Sequence, residues 1–186
     1  FPPPDGFQPL NDANTRPKTV ISRPDKFVGI TTYTGAGGTK KVDGLKFSPD
    51  LIWVKGRESS LAPTLGDSVR GFGETKMLSP SVTAEEDRGT DPTDGSERGY
   101  ISAKHINGFT VVDGTGSSQV NGSGEDYVAW CWKAGGNSNT FNVDDVGYTS
   151  ASAAGITDGS IALTSASVNR DAGFSIVTYT GTGSTG

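Results

Sequence analysis

The sequence predicts an all-β fold, and three observations carry that prediction. Apolar residues come in short clusters of aromatic and β-branched types, such as Leu51-Ile52-Trp53-Val54 and Tyr127-Val128-Ala129-Trp130. Gly, Ser, Asp and Asn, the residues of turns, separate those clusters. No segment holds an apolar stripe at helical spacing for three turns. Only 32% of the 186 residues are hydrophobic, but 8 Phe, 5 Tyr and 3 Trp set the chain apart from disordered sequences, which are poor in such residues.

The elements follow in chain order. Residues 1–24 hold 6 of the 10 prolines, and Pro removes amide donors and favours extended backbone. They are expected to form an extended Pro-rich arm. Phe1, Phe7, Leu10, Val20 and Ile21 make it too apolar for a pure spacer, so it should dock on the domain or a neighbour. A β-sandwich domain is expected over residues 25–141. Its strand signals are Phe27–Thr34, Leu51–Lys55, Phe109–Asp113 and Tyr127–Lys133, and a Pro49-Asp50 turn precedes the second. Residues 79–99 read as a long polar loop with room for one helical turn at Val82–Asp87, capped by Ser81 or Thr83.

A repeat closes the chain. Residues 30–37 read Ile-Thr-Thr-Tyr-Thr-Gly-Ala-Gly and residues 176–183 read Ile-Val-Thr-Tyr-Thr-Gly-Thr-Gly. A strand from the start of the domain thus recurs at the end, at a spacing too long for a solenoid. Residues 173–186 are expected to be the first strand of a second unit, reached through an Ala/Ser/Gly-rich connector at 142–172. The chain itself, starting at Phe1 with no leader pattern, is expected to be an excerpt of a longer protein.

Composition excludes several functions. A formal charge of −5 argues against nucleic-acid binding, which needs basic residues to neutralise phosphates. No stretch approaches the ~18 apolar residues of a membrane span, so no membrane insertion is expected. One Cys and one His exclude a disulfide scaffold and leave no Cys/His metal cluster. Cys131 lies on the opposite strand face from Trp130 and Trp132. Either the tryptophans or the thiol face the core. A small core residue is a better reading of Cys131 than a dyad with His105, which adjoins an Asn107-Gly108 turn.

The acids Glu85, Glu86, Asp87, Asp91, Asp94 and Glu97 sit on a loop, without calcium-loop spacing or a pairing that suggests sugar hydrolysis. Asp144-Asp145 reads as a solvated turn. Gly35-Ala36-Gly37-Gly38 lacks the phosphate-loop pattern and reads as a hairpin loop. Asn121-Gly122-Ser123 is a formal glycosylation sequon. Asp67 and Arg70, three apart around Val69, predict a structural ion pair that fixes loop geometry. No catalytic residue, metal or cofactor is expected, and the chain is not expected to be an enzyme.

Taken together, Phe47 to Lys55, Asp67-Ser68-Val69-Arg70-Gly71, Asn107 to Val111, Tyr127 to Gly136, Thr140 to Tyr148 and Gly173 to Gly181 carry a resemblance. The chain resembles a domain that recurs, often in tandem, in virion structural and tail-fibre-like proteins of marine tailed phages, cyanophages among them. The resemblance implies an antiparallel two-sheet jelly-roll sandwich similar to concanavalin A or laminin-G domains. Trp53, Trp130 and Trp132 would then fill the core between the sheets. It also implies a virion location and contact with host-surface polysaccharide. Other virion proteins or copies of the chain are the expected partners, with a homotrimer as the expected assembly. Tyr100 and Phe72 are the stacking candidates for a sugar. A purely architectural capsid-decoration or fibre-spacer domain is the alternative, ahead of a polysaccharide depolymerase.

Overall fold

The structure is a computed structural model that describes residues 21, 23–58, 60–81, 86, 97–116, 118–136 and 139–183. The helical turn expected at Val82–Asp87, the acids Glu85, Asp87, Asp91 and Asp94, and residues 1–20 of the arm lie outside them. The described residues form eleven strands: β1 (Val28–Thr34), β2 (Thr39–Asp43), β3 (Leu51–Gly56), β4 (Thr64–Asp67), β5 (Tyr100–His105), β6 (Gly108–Val112), β7 (Asp126–Trp132), β8 (Phe141–Val143), β9 (Val146–Tyr148), β10 (Leu163–Asn169) and β11 (Phe174–Tyr179). Two single 3-10 turns, Pro24–Lys26 and Glu74–Lys76, are the only helical elements among the described residues. The chain is all-β.

The strands form three sheets, not two. A major sheet runs β1-β7-β3-β4 and a facing sheet runs β2-β6-β5, each antiparallel throughout. Their inner faces close into a sandwich around Phe47, Ile52, Val54, Met77, Ile101, Phe109, Val111, Tyr127 and Cys131, all buried. A third sheet runs β11-β10-β8-β9 and holds the smaller cluster of Phe141, Val143, Ala154 and Ala166. In it β8 and β10 are parallel, because residues 149–162 carry the chain back over the sheet between them.

Residues 142–172 are therefore not a bare connector. They contain β9, β10 and most of β8, and β11 pairs with β10 along its length. The interior of this sheet is built from small residues that hydrogen-bond. Ser167 Oγ accepts from Gly135 N at 2.8 Å, and Asn169 Nδ2 donates to the Ala134 carbonyl at 3.3 Å. Buried polar atoms with partners are tolerated, so no apolar run marked β10.

The Gly35–Gly38 stretch is also not a hairpin loop. β1 pairs with β7 and β2 with β6, so these glycines carry the chain from one layer of the sandwich to the other. Asn121, from the formal sequon, is fully buried and clamps this crossing. Its Oδ1 accepts from Ala36 N at 3.1 Å and its Nδ2 donates to the Gly38 carbonyl at 3.0 Å. A Cβ added to Gly35 would sit 2.0 Å from the Gly122 carbonyl oxygen, an encounter with backbone that cannot swing away. Gly35→Ala is expected to lose about 2 kcal/mol or more through overpacking, read as a lower midpoint of chemical denaturation.

One buried acid ties β5 and the turn after β4 to the segment that leaves β7. Asp50, fully buried just before β3, accepts from Ser68 Oγ (2.9 Å), Ala134 N (2.7 Å) and Gly136 N (3.1 Å), and pairs with the Lys104 ammonium from β5. Its backbone N–H donates to Trp132 and its carbonyl accepts from Ser68. Nearby, Asp67 and Arg70 form an ion pair that is almost closed to solvent. Both Arg70 Nε and Nη2 lie 2.7 Å from Asp67 Oδ2, while Asp67 Oδ1 accepts from the Val69 and Arg70 amides. Arg70 Nη1 also reaches the Lys76 carbonyl at 2.8 Å, fixing the turn after β4.

Candidate functional site

Side chains along β7 alternate strictly: Tyr127, Ala129 and Cys131 are buried, while Val128, Trp130 and Trp132 lie on the other face. The inner face has room only for small residues at this end. A Cβ on Gly29, paired with Cys131, would meet Leu45 Cδ2 at 2.7 Å and Phe47 Cε1 at 3.3 Å. The thiol therefore takes the core and the indoles take the outside. This corrects the expectation that Trp53, Trp130 and Trp132 fill the core.

The registers place Ile30, Trp130, Trp53 and Leu65 in one row across the outer face, and Val28, Trp132 and Leu51 in the next. Ile30 is 64% exposed, Val28 46% and Trp53 37%, and both other indoles are half-buried. The Trp53 and Trp130 rings are 5.9 Å apart with planes inclined at 54°. Trp132 stacks on Phe174 of β11, at 6.1 Å and 20°. The outer face thus sets aromatic and aliphatic side chains next to one another, with Ile30, Val28 and Trp53 open to solvent.

Beyond the end of β1 and β7 the surface turns polar. A cleft of about 570 Å3 opens between the sandwich and the third sheet, with Phe27 and Phe47 beside Lys26, Lys46, Lys133, Asp144, Asp145 and Asp171. Lys133 pairs with Asp145 at 2.7 Å. Asp144 and Asp145 both have positive φ, 51° and 66°, in the tight turn joining β8 and β9. Asp tolerates that conformation better than most residues, and Asp144 Oδ1 is held by the Arg170 amide at 2.8 Å. The turn is solvated, as expected, and both aspartates also line the cleft.

The sequence-predicted stackers lie elsewhere. Tyr100 and Phe72 are half-buried and packed against the main core, so neither ring stands open on a loop. His105 ends β5, its Nδ1 3.5 Å from Asp43 Oδ1. Among the described residues no group of three or more His, Cys, Asp or Glu could hold a metal ion.

Cys131 is chemically quiet. Burial pushes its thiol from the ordinary 9.0 to about 12, opposite to the lowering that activates a nucleophile. Burial, and then the hydrogen bond to Glu125, push the Tyr127 phenol from 10.0 to about 12. Both groups hold their protons more tightly in the folded state. The stability this contributes is whole below about pH 9 and is lost as pH rises toward about 12. Denaturation midpoints are expected to be flat near neutrality and to fall above pH 9. Cys131 should stay unlabelled by a thiol reagent until the chain unfolds.

A family profile described as a domain of unknown function, DUF7483, matches residues 23–186. The chain belongs to that family. Comparisons with curated proteins and with solved structures give no match. The DUF7483 match begins just ahead of β1 and runs past β11, so all three sheets belong to the family's unit.

Proposed function

We propose that this DUF7483 domain is a non-enzymatic structural and adhesive module of a tailed-phage particle. It would belong to a tail fibre or surface projection, assembled as a homotrimer, and contact host-surface polysaccharide. The resemblance of its motifs to recurrent virion domains supports the location. The same resemblance supports a jelly-roll arrangement of the concanavalin A or laminin-G kind for the two packed sheets.

The observation that carries the adhesive part is the outward-facing row of Ile30, Trp130 and Trp53. Planar indoles offer large apolar contact at little entropic cost, and the C–H faces of pyranose rings are flat and weakly apolar. Two indoles inclined at 54° suit successive rings of a chain that twists. The adjoining cleft supplies ammonium and carboxylate groups for sugar hydroxyls. Single-site affinity would be weak, and repeated copies would raise it through avidity.

Titration of the chain with host-surface polysaccharide, followed by tryptophan emission, tests this reading. A saturable shift supports it, and a flat response across surface glycans sinks it in favour of an architectural spacer. One observation favours that second reading: the face already accepts protein, since Phe174 covers Trp132.

A further inference from the structure

β1 and β11 are the same strand in sequence, Ile-x-Thr-Tyr-Thr-Gly at 30–35 and 176–181. The fold buries them in opposite ways. In β1 the inner set Gly29, Thr31 and Tyr33 turns to the core, where Tyr33 stacks on Tyr127 at 5.3 Å, while Val28 and Ile30 stand in solvent. In β11 the counterparts of Val28 and Ile30, Phe174 and Ile176, are half-buried, and those of Thr31 and Tyr33 are bare: Val177 is 44% and Tyr179 59% exposed.

The backbone edges are complementary too. In an antiparallel pair, successive residues point their N–H and C=O groups alternately to the two sides. Gly35 N donates to Glu125 and Lys133 N to Phe27, so the odd-numbered residues of β1 bond toward β7. In β10, Ala166 N donates to Thr140 and the Val168 carbonyl accepts from Asp144, so both face β8. Their partners across the pair, Val177 and Ser175, therefore aim their backbone groups at the open edge of β11. Those are the counterparts of the β1 residues that bond to β7.

We infer that β11 is a shared strand. Its open edge and its Val177–Tyr179 face are completed by a second copy of this fold, in which β11 takes the place that β1 holds here. The third sheet then continues through β11 into the second copy's major sheet. The small groove of about 300 Å3 beside Val143, Ile156, Leu163 and Val177 opens on the same face and runs into the second sandwich. Tyr179 stands where Tyr33 stands, on the counterpart of Tyr127. Ser175 replaces Gly29, where a Cβ would meet the movable end of Leu45 at 2.7 Å and the Phe47 ring at 3.3 Å, so both side chains must shift slightly. This inference does not depend on glycan contact.

The test continues the full chain through Thr180 directly into Gly35 of a second copy, which then has no β1 of its own. A control fusion gives the second copy its own residues 23–34. Folding of both copies in the first fusion, with slow hydrogen exchange in β11, is the expected result. Protease digestion of the second copy there, while the control survives, overturns the inference. Val177→Asp with Tyr179→Asp should shorten the protease lifetime of the second copy by about tenfold or more and leave the first copy intact. An unchanged lifetime would equally overturn it.

Discussion

Asp50→Ala is expected to cost about 3–5 kcal/mol, the usual penalty for removing one partner of a buried ion pair. Domains of this size have roughly 5–15 kcal/mol in all, so the variant should be only marginally folded. The reason is the number of groups left without a partner. Lys104 loses its carboxylate, and the Ala134 and Gly136 amides lose the oxygen they share. Ser68 loses its acceptor as well. Asp50→Asn should cost less, since an amide oxygen can still receive the two backbone donors while its nitrogen opposes Lys104. Lys104→Met should cost least, because Asp50 retains three hydrogen-bond donors that hold its charge. Chemical denaturation should rank the midpoints Ala lowest, then Asn, then the Lys104 variant. A midpoint for Asp50→Ala equal to that of the parent chain would contradict the role given to this carboxylate.

Nothing local in the sequence separates Asp50 from an ordinary Pro-Asp turn. Its partners lie 18, 54, 84 and 86 residues away, and long-range polar convergence leaves no periodic trace. Local chemistry was enough for the strands that carry aromatic or β-branched runs. The expected Leu51–Lys55 differs from β3 by one residue at its end, and Tyr127–Lys133 from β7 by one residue at each end. β2, Thr39–Asp43, is an edge strand with one buried residue, Val42, and its adjacent Lys40 and Lys41 break the apolar alternation of a strand. β10 escaped because its buried positions are Ala166, Ser167 and Asn169, one small and two hydrogen-bonded.

The tryptophans teach a narrower lesson. Parity along β7 was legible, since Cys131 and the flanking indoles must face opposite ways. The resemblance implies indoles inside. The facing layer decides otherwise, because Leu45, Phe47 and Phe109 already fill the gap of roughly 10 Å between sheets. Phe72 and Tyr100 follow the same logic in reverse. Their loop surroundings in sequence suggest exposure, yet the ends of the sandwich need plugs, and both rings pack there.

The exchanged roles give the second large effect. Trp53→Ala combined with Trp130→Ala is expected to weaken polysaccharide binding by about tenfold or more, taking roughly 0.5–1.5 kcal/mol per ring contact and 1.4 kcal/mol per decade. Because both rings already meet solvent, the fold should lose little, and the denaturation midpoint should move less than for any core substitution. Phe72→Ala and Tyr100→Ala should behave in the opposite way, lowering the midpoint by removing core contacts while the folded fraction binds as before. Measuring binding and stability on the same four substitutions separates the two assignments. Glycan binding that survives loss of both indoles but vanishes with Tyr100 would return the site to the loops. Binding lost with Trp53 and Trp130 alone would fix it on the outer face of the β1-β7-β3-β4 sheet, whose registry sets the indole spacing.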